Sequence, residues 1–94
     1  MSDQVETVRN DDESRYEGRL AGRIVTTVDF VADGPVLTII HTGTDPAYRG
    51  RGLAGTVTQA ALEDVRRRGE RVRPACGFAV SYLDAHEEFA DLRV

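Results

Sequence analysis

The chain has 94 residues, of which 40% are hydrophobic and 30% charged, and it contains one cysteine. This length predicts one domain spanning residues 1–94, and a lone cysteine excludes an intrachain disulfide. No apolar run approaches the roughly 18–20 residues that cross a bilayer, and residues 1–15 lack the apolar segment of a signal peptide. We therefore expect a soluble, cytoplasmic protein without a membrane partner.

The net charge of −4 is unevenly distributed along the chain. Residues 1–45 carry a net charge of −5, residues 46–75 carry +4, and residues 76–94 carry −3. Nucleic-acid binders usually show a basic overall balance, so no nucleic-acid partner is expected. A basic middle in an acidic chain suits the binding of one small anion, although a solvated helix end explains the arginine run equally well.

Residues 1–6 are polar and terminal and are expected to fray. Four segments with the composition of β-strands follow them. Turn residues separate the runs, and β-branched or aromatic residues fill them. The predicted strands are Thr7–Asn10, Arg15–Leu20, Arg23–Ala32 and Val36–His41. In the fourth strand, simple alternation places Leu37, Ile39 and His41 on one face.

The second half of the chain predicts a helix, a strand and a shorter helix. Apolar residues recur at helical spacing over residues 53–68, and Gly69 is suited to end that helix. A fifth strand is predicted at Arg71–Cys76, and a second helix at Phe78–Glu88, with Phe78, Tyr82, Leu83 and Phe89 packing inward. Strands four and five should be parallel because a helix joins them. The fold class is therefore α/β, with a mixed, mostly antiparallel sheet.

The segment Tyr48–Gly55 joins a strand to a helix and is rich in glycine and arginine. Glycine lets the backbone turn tightly, and the first amides of a helix lack partners, so this junction predicts an anion site. Gly50, Gly52 and Gly55 match a dinucleotide-binding spacing. However, that fingerprint follows the first strand of a parallel sheet, and here several antiparallel strands precede it. The absence of lysine excludes a Walker loop.

The motif Arg49-x-x-Gly52-x-Ala54 lies at this junction, with His41-Thr42 before it and Pro74-x-Cys76-x-Phe78, Tyr82 and His86 after it. This arrangement resembles the minimal GNAT-like N-acetyltransferases, small proteins that keep the acetyl-CoA-binding half of the GNAT fold. The resemblance covers about residues 7–92, and Gly77 and Glu87 stand where the family carries proline. It implies that strands four and five splay apart around the pantetheine of acetyl-CoA.

The resemblance also implies a set of site residues. The pantetheine would pair with the backbone of Thr42, Gly43 and Thr44. Cys76 and His41 would lie near the thioester as catalytic residues, and Tyr82 would stand where larger GNAT enzymes protonate the CoA thiolate. The pyrophosphate would lie on the backbone amides of a six-residue loop, namely Arg49, Gly50, Arg51, Gly52, Leu53 and Ala54.

Two mechanisms are open for Cys76 and His41. In one, His41 activates Cys76, which accepts the acetyl group and passes it to an amine. In the other, the amine attacks acetyl-CoA directly, His41 is the general base, and Cys76 only shapes the pocket. The plainer interpretations are a small buried cysteine, a hydrogen-bonded histidine at a strand end, and a core aromatic at Tyr82.

The predicted function is therefore acetyl transfer from acetyl-CoA to an amine of a small molecule or a protein. The alternative is an acyl-CoA-binding module without turnover, since so short a chain lacks elements that form the acceptor groove of full-length GNAT enzymes. A third hypothesis, a nucleotide- or nucleic-acid-binding role, depends only on the glycine loop and the arginine cluster. No metal is predicted, because spacing does not join His41, Cys76 and His86 into a site. The pattern does not indicate an oligomeric state.

Overall fold

The strands follow the predicted order along the chain, and their ends differ by a few residues. The computed structural model describes residues 4–94. The five strands, β1 to β5 in chain order, are Glu6–Asn10, Arg15–Leu20, Arg23–Asp33, Val36–Thr44 and Arg71–Pro74. Residues 1–3 of the segment expected to fray lie outside the described part. The rest does not match that expectation, because Glu6 is in β1 and Val5 packs against the core.

Two α-helices and two short 3₁₀ helices complete the structure. The first α-helix, α1, spans Leu53–Arg67, and the second, α2, spans Gly77–Ala85. The 3₁₀ helices are Pro46–Tyr48 and Glu87–Leu92. The second α-helix is therefore shorter than predicted, because the chain tightens into a 3₁₀ turn after His86.

The five strands form one sheet in the order β1-β2-β3-β4-β5. The first three pairings are antiparallel, whereas β4 and β5 are parallel, from Val36 opposite Arg71 to Ile39 opposite Pro74. The predicted parallel pair and the α/β fold class are thus confirmed. Within the described residues, both helices pack on one face of this sheet, which leaves the other face without a helical layer.

The core lies between the sheet and the two helices. Its buried members come from every element except β1 and the 3₁₀ helix Pro46–Tyr48, and the apolar stripe of α1 contributes Val57, Ala61, Leu62 and Val65. Leu37 and Ile39 of β4 belong to the same cluster. Phe78, which was expected to pack inward, is 39% exposed because it lies in the first turn of α2, ahead of the buried Ala79. This prediction was wrong.

Candidate functional site

The glycine-rich loop enters α1 without a side-chain cap. Gly50 and Gly52 have φ angles of 85° and 73°, a left-handed conformation that glycine adopts without strain. Gly52 is the N-cap residue, and within residues 4–94 no side chain bonds the first amides of the helix. A cavity of about 410 Å³ opens here, lined by the loop, Thr44 and Phe78. The geometry leaves backbone N–H groups and the positive end of the helix dipole directed at this cavity.

Beside this loop, one edge of β4 is open. The last hydrogen bond between β4 and the chain after β5 runs from the Ala75 amide to the Ile39 carbonyl, at 2.8 Å. Beyond Ile39, β4 pairs only with β3 among the described residues. The backbone groups on the free edge of residues 41–44 are therefore available to an added strand-like partner.

A β-bulge in β4 decides which of its side chains face the helices. Asp29 pairs with His41 and Phe30 pairs with Ile39, so Ile40 is an extra residue. One inserted residue exchanges the two faces of a strand beyond the insertion. Thr42, opposite the buried Val28, consequently lies on the helix side.

His41 therefore lies on the helix-free face, and the expectation that it shares a face with Leu37 and Ile39 is wrong. Its side chain is exposed, and a Cβ atom built at Gly43 would lie 2.9 Å from His41 Nε2. The imidazole thus lies over Gly43, a position where a larger residue would displace it. His41 lines a second cavity, of about 470 Å³, together with Thr27, Asp45 and Arg49. Both cavities contact Thr44 and Arg49, so they meet at the open end of β4.

Cys76 is the N-cap residue of α2 and not the last residue of β5, which ends at Pro74. Its half-buried Sγ accepts a hydrogen bond from the Ala79 amide at 3.4 Å and lies 3.7 Å from Thr42 Oγ1. His41 is not among the hydrogen-bond partners of Cys76 in the described part of the chain. The predicted Cys76–His41 pair is therefore not brought together, because the bulge at Ile40 separates the two side chains onto opposite faces.

Tyr82 lies in a row of three rings on α2. Its ring stacks on Phe78, with centroids 6.1 Å apart, and on His86, with centroids 3.8 Å apart and planes at 11°. His86 Nδ1 donates to the Tyr82 carbonyl at 2.7 Å. Burial raises the pKa of Tyr82, and Glu88 and Glu63 add to this effect, so the phenol keeps its proton at neutral pH. The four-residue spacing of these rings could have indicated the stack.

The arginines at the end of α1 are engaged in ion pairs. Arg66 binds Asp91 at 2.7 Å, and Arg68 binds Asp64 at 2.7 Å. Arg51, in the loop, lies 5.1 Å from the centre of the Tyr48 ring. No helix in the described range is both long enough and apolar enough to cross a membrane.

Comparison with known proteins finds one family match and several structural matches. A family model described as GCN5-related N-acetyl-transferase matches residues 15–92, which is most of the chain. No curated protein matches it. Among solved structures, a GCN5-like protein from Staphylococcus aureus is 18% identical, with a TM-score of 0.72, over 98% of this chain and 90% of that one.

Two larger structures share the fold over part of their length. The ribosomal-protein-S18-alanine N-acetyltransferase of Escherichia coli is 14% identical, with a TM-score of 0.61, over 76% of this chain and 49% of that one. A GNAT family acetyltransferase from Brucella melitensis, determined in complex with acetyl-CoA, is 17% identical, with a TM-score of 0.55, over 72% and 50%. The chain therefore spans about half the length of these two proteins.

Proposed function

This chain belongs to the GCN5-related N-acetyltransferase family, and we propose that it transfers the acetyl group of acetyl-CoA to an amine. The observation that carries the proposal is the open end of β4. This free edge lies between an uncapped helix N-terminus on one side and the Cys76 thiol on the other. An anion site, a strand edge and a thiol thus follow one another in the order of the pyrophosphate, pantetheine and thioester of acetyl-CoA.

The loop and β4 provide the binding groups for acetyl-CoA. The amides of residues 49–54 and the dipole of α1 suit the pyrophosphate, with Arg49 and Arg51 adding charge. The free backbone edge of Thr42, Gly43 and Thr44 suits the amides of the pantetheine, which pair as an added strand would. The apolar wall of the first cavity, which includes Leu53, Ala54 and Phe78, covers the methylene groups.

Cys76 and His41 act in separate steps because they lie on opposite faces of the sheet. Bound acetyl-CoA supplies an activated thioester. The Cys76 thiol loses its proton to solvent, and Sγ attacks the carbonyl carbon of the thioester. A bond to Sγ forms, the bond to the CoA sulfur breaks, and CoA leaves as a thiolate that takes a proton from Tyr82. His41 takes a proton from the incoming ammonium at the second cavity, before the acyl transfer. The neutral amine then attacks acetyl-Cys76, the bond to Sγ breaks, and the departing Cys76 thiolate takes the proton that the amine loses.

Tyr82 donates a proton to the departing CoA thiolate. Its raised pKa keeps the phenol protonated at neutral pH, and its row of stacked rings fixes the side chain. A thiol nucleophile at Cys76 also needs a reducing compartment, which fits a cytoplasmic location.

Direct attack of the amine on acetyl-CoA is the second candidate mechanism. The exposure of His41 beside the second cavity favours it, because a base there can reach an amine without contacting Cys76. The two mechanisms differ in one intermediate, since only the covalent mechanism forms acetyl-Cys76.

Acetyl-CoA titration of labelled protein, followed by amide NMR, tests the binding site. Shifts centred on residues 42–54 and Cys76 are expected, and no shift at millimolar acetyl-CoA would contradict the proposal. Release of CoA thiol with a panel of amines then tests turnover. Binding without release across the panel would instead identify an acyl-CoA-binding module.

Mass spectrometry of the protein after brief exposure to acetyl-CoA distinguishes the two mechanisms. A single added acetyl group on Cys76, absent in Cys76→Ala, supports the covalent route. Turnover by Cys76→Ala at the wild-type rate would support direct attack. The chain contains no lysine, so the N-terminus is the one amine in it that could carry an acetyl group instead.

A further inference from the structure

The bulge at Ile40 brings a residue to Cys76 that the strand pattern assigns to the other face. Thr42 follows the bulge and lies opposite Val28, which is buried on the helix side. Its hydroxyl reaches Cys76 Sγ at 3.7 Å, across the gap between β4 and the start of α2. Without the extra residue, His41 would occupy this face and Thr42 would point away from the helices.

Two groups thus surround the Cys76 sulfur from different elements. The Ala79 amide of α2 donates to Sγ at 3.4 Å, and the Thr42 hydroxyl of β4 contacts it from the sheet. A threonine hydroxyl can accept from a thiol and donate to a thiolate, so this contact persists in both protonation states. Hydrogen bonds to an ionised group are about twice as strong as neutral ones, so the contact is stronger with the thiolate.

We propose that Thr42 is a positioning residue, whose hydroxyl holds the Cys76 sulfur toward the open end of β4 and stabilises its thiolate. The inference rests on the proposed function, in which Cys76 receives the acetyl group. The Thr42 side chain thus has a role separate from that of the Thr42 backbone, which pairs with the pantetheine in the proposed function. Ala79 cannot supply this role alone, because its amide fixes the sulfur only relative to α2 and not relative to β4.

Alkylation of Cys76 by iodoacetamide tests the inference without acetyl-CoA. Because the chain has one cysteine, the alkylation rate reports on Cys76 alone. Thr42→Val replaces the hydroxyl with a methyl group and should slow alkylation at pH 7 about three- to tenfold, the range of one lost hydrogen bond. Thr42→Ser keeps the hydroxyl and should react at close to the wild-type rate.

Thr38→Val is the matched control in the alkylation assay. Thr38 lies in the same strand, but it precedes the bulge, pairs with Val31, and does not contact Cys76 among the described residues. It should therefore be alkylated at the wild-type rate, and urea midpoints of all variants verify that each is folded. Equal rates in Thr42→Val and wild type would overturn the inference, as would equal slowing in Thr42→Val and Thr42→Ser.

The outcome is separable from that of the proposed function. If the wild type never forms acetyl-Cys76 nor transfers acetyl groups, the proposed function fails, yet the alkylation series still measures the Thr42 contact. If acetyl-Cys76 forms equally fast in Thr42→Val and wild type, the role of Thr42 fails and the function stands. Slower acetyl-Cys76 formation in Thr42→Val, rescued in Thr42→Ser, supports both.

Discussion

At the scale of single residues, Gly52 is a position where the backbone itself is proposed to contact the ligand. Its φ angle of 73° is left-handed, and no atom of the described residues, apart from its two chain neighbours, lies within 4 Å of a Cβ built there. A side chain at this position would therefore find enough space, but the backbone conformation disfavours any residue other than glycine. Gly52→Val should weaken CoA binding about tenfold or more, because a β-branched residue avoids this conformation and would turn the loop amides away. Isothermal titration with CoA measures the effect.

Gly34→Val is the control for Gly52→Val. Gly34 has a φ angle of 60° and equally open surroundings, but it lies in the β3–β4 turn, away from the loop. Both variants should lose about 1–2 kcal/mol of unfolding free energy through backbone strain. Only Gly52→Val should lose CoA affinity, so similar losses in both would attribute the effect to general destabilisation.

His41 and Thr42 mark the limit of what the sequence predicts at this scale. The motif located both residues beside the glycine loop, and alternation assigned His41 to the face of Leu37 and Ile39. The assignment was wrong because Ile39 and Ile40 are both apolar, so hydrophobicity does not reveal that Ile40 is an inserted residue. Ile40 is 48% exposed, whereas the preceding Ile39 is buried, although the two side chains are identical.

At the scale of elements, Tyr16 joins the sheet to α1. Its buried ring packs on Phe30, and its hydroxyl donates to Asp64 Oδ2 at 2.7 Å and accepts from Arg9 at 3.2 Å. Burial raises the pKa of Asp64, but hydrogen bonds from Tyr16 and Arg68 outweigh it and lower the pKa overall. The hydroxyl thus stabilises an ionised carboxylate that holds the C-terminal half of α1 on β2.

Tyr16→Phe should therefore lower the unfolding free energy by about 1.5–3 kcal/mol, the range of a hydrogen bond to a charged group. Urea denaturation at pH 7 measures the change. Tyr48→Phe is the control, since the Tyr48 hydroxyl makes no hydrogen bond among the described residues, and it should change stability by less than about 0.5 kcal/mol. Equal stability of the two variants would show that the Tyr16–Asp64 contact contributes nothing.

Glu17 organises the helix-free face of the sheet. Its side chain is only 1% exposed and accepts hydrogen bonds from Arg19, Asn10 and Arg15. Burial raises the pKa of Glu17, but these hydrogen bonds outweigh it and bring the pKa down to about 2, from 4.5 for a free glutamate. Because the folded pKa is depressed, the stabilisation is complete above pH 4.5 and is lost as the pH falls toward 2.

Glu17→Gln should consequently be less stable than wild type at pH 7, and the difference should shrink at pH 3. Urea midpoints at the two pH values measure this. Glu13→Gln, which neutralises an exposed carboxylate near the β1–β2 turn, should differ little from wild type at either pH. A difference between Glu17→Gln and wild type that does not depend on pH would indicate that packing, and not ionisation, is the cause.

The sequence predicts the order of the helices and strands correctly, but it predicts their first and last residues less accurately. The glycine turns and β-branched runs located β1 to β4, and the apolar stripe located α1, because each is a local signal. The ends of β5 and α2 were misplaced because they depend on tertiary contacts. Pro74 pairs with Ile39 as the last residue of β5, and Cys76 then caps α2 with its own side chain.

At the scale of the whole molecule, charge distribution sets the conditions for binding a polyanion such as CoA. The chain carries −4 in total but +4 over residues 46–75, and its extents are 34 × 29 × 21 Å. At low salt the screening length approaches these dimensions, whereas at 0.1 M it is about 10 Å. The loop arginines attract the bound anion from close by, whereas the acidic side chains that repel it are farther away and spread over the molecule. The nearest charges therefore dominate, and salt weakens the binding.

Raising NaCl from 20 to 200 mM should thus reduce the affinity for CoA, and Arg49→Ala should reduce both the affinity at low salt and its salt dependence. Arg93→Ala is the matched control, because it removes the same charge from the opposite end of the sheet, where Arg93 pairs with Asp84. Titration calorimetry at both salt concentrations measures all three proteins. If Arg93→Ala matches Arg49→Ala, net charge alone governs binding. If Arg49→Ala loses affinity equally at both concentrations, it damages the loop and does not act through its charge. A salt-dependent loss confined to Arg49→Ala is the result that a local anion site at the start of α1 requires.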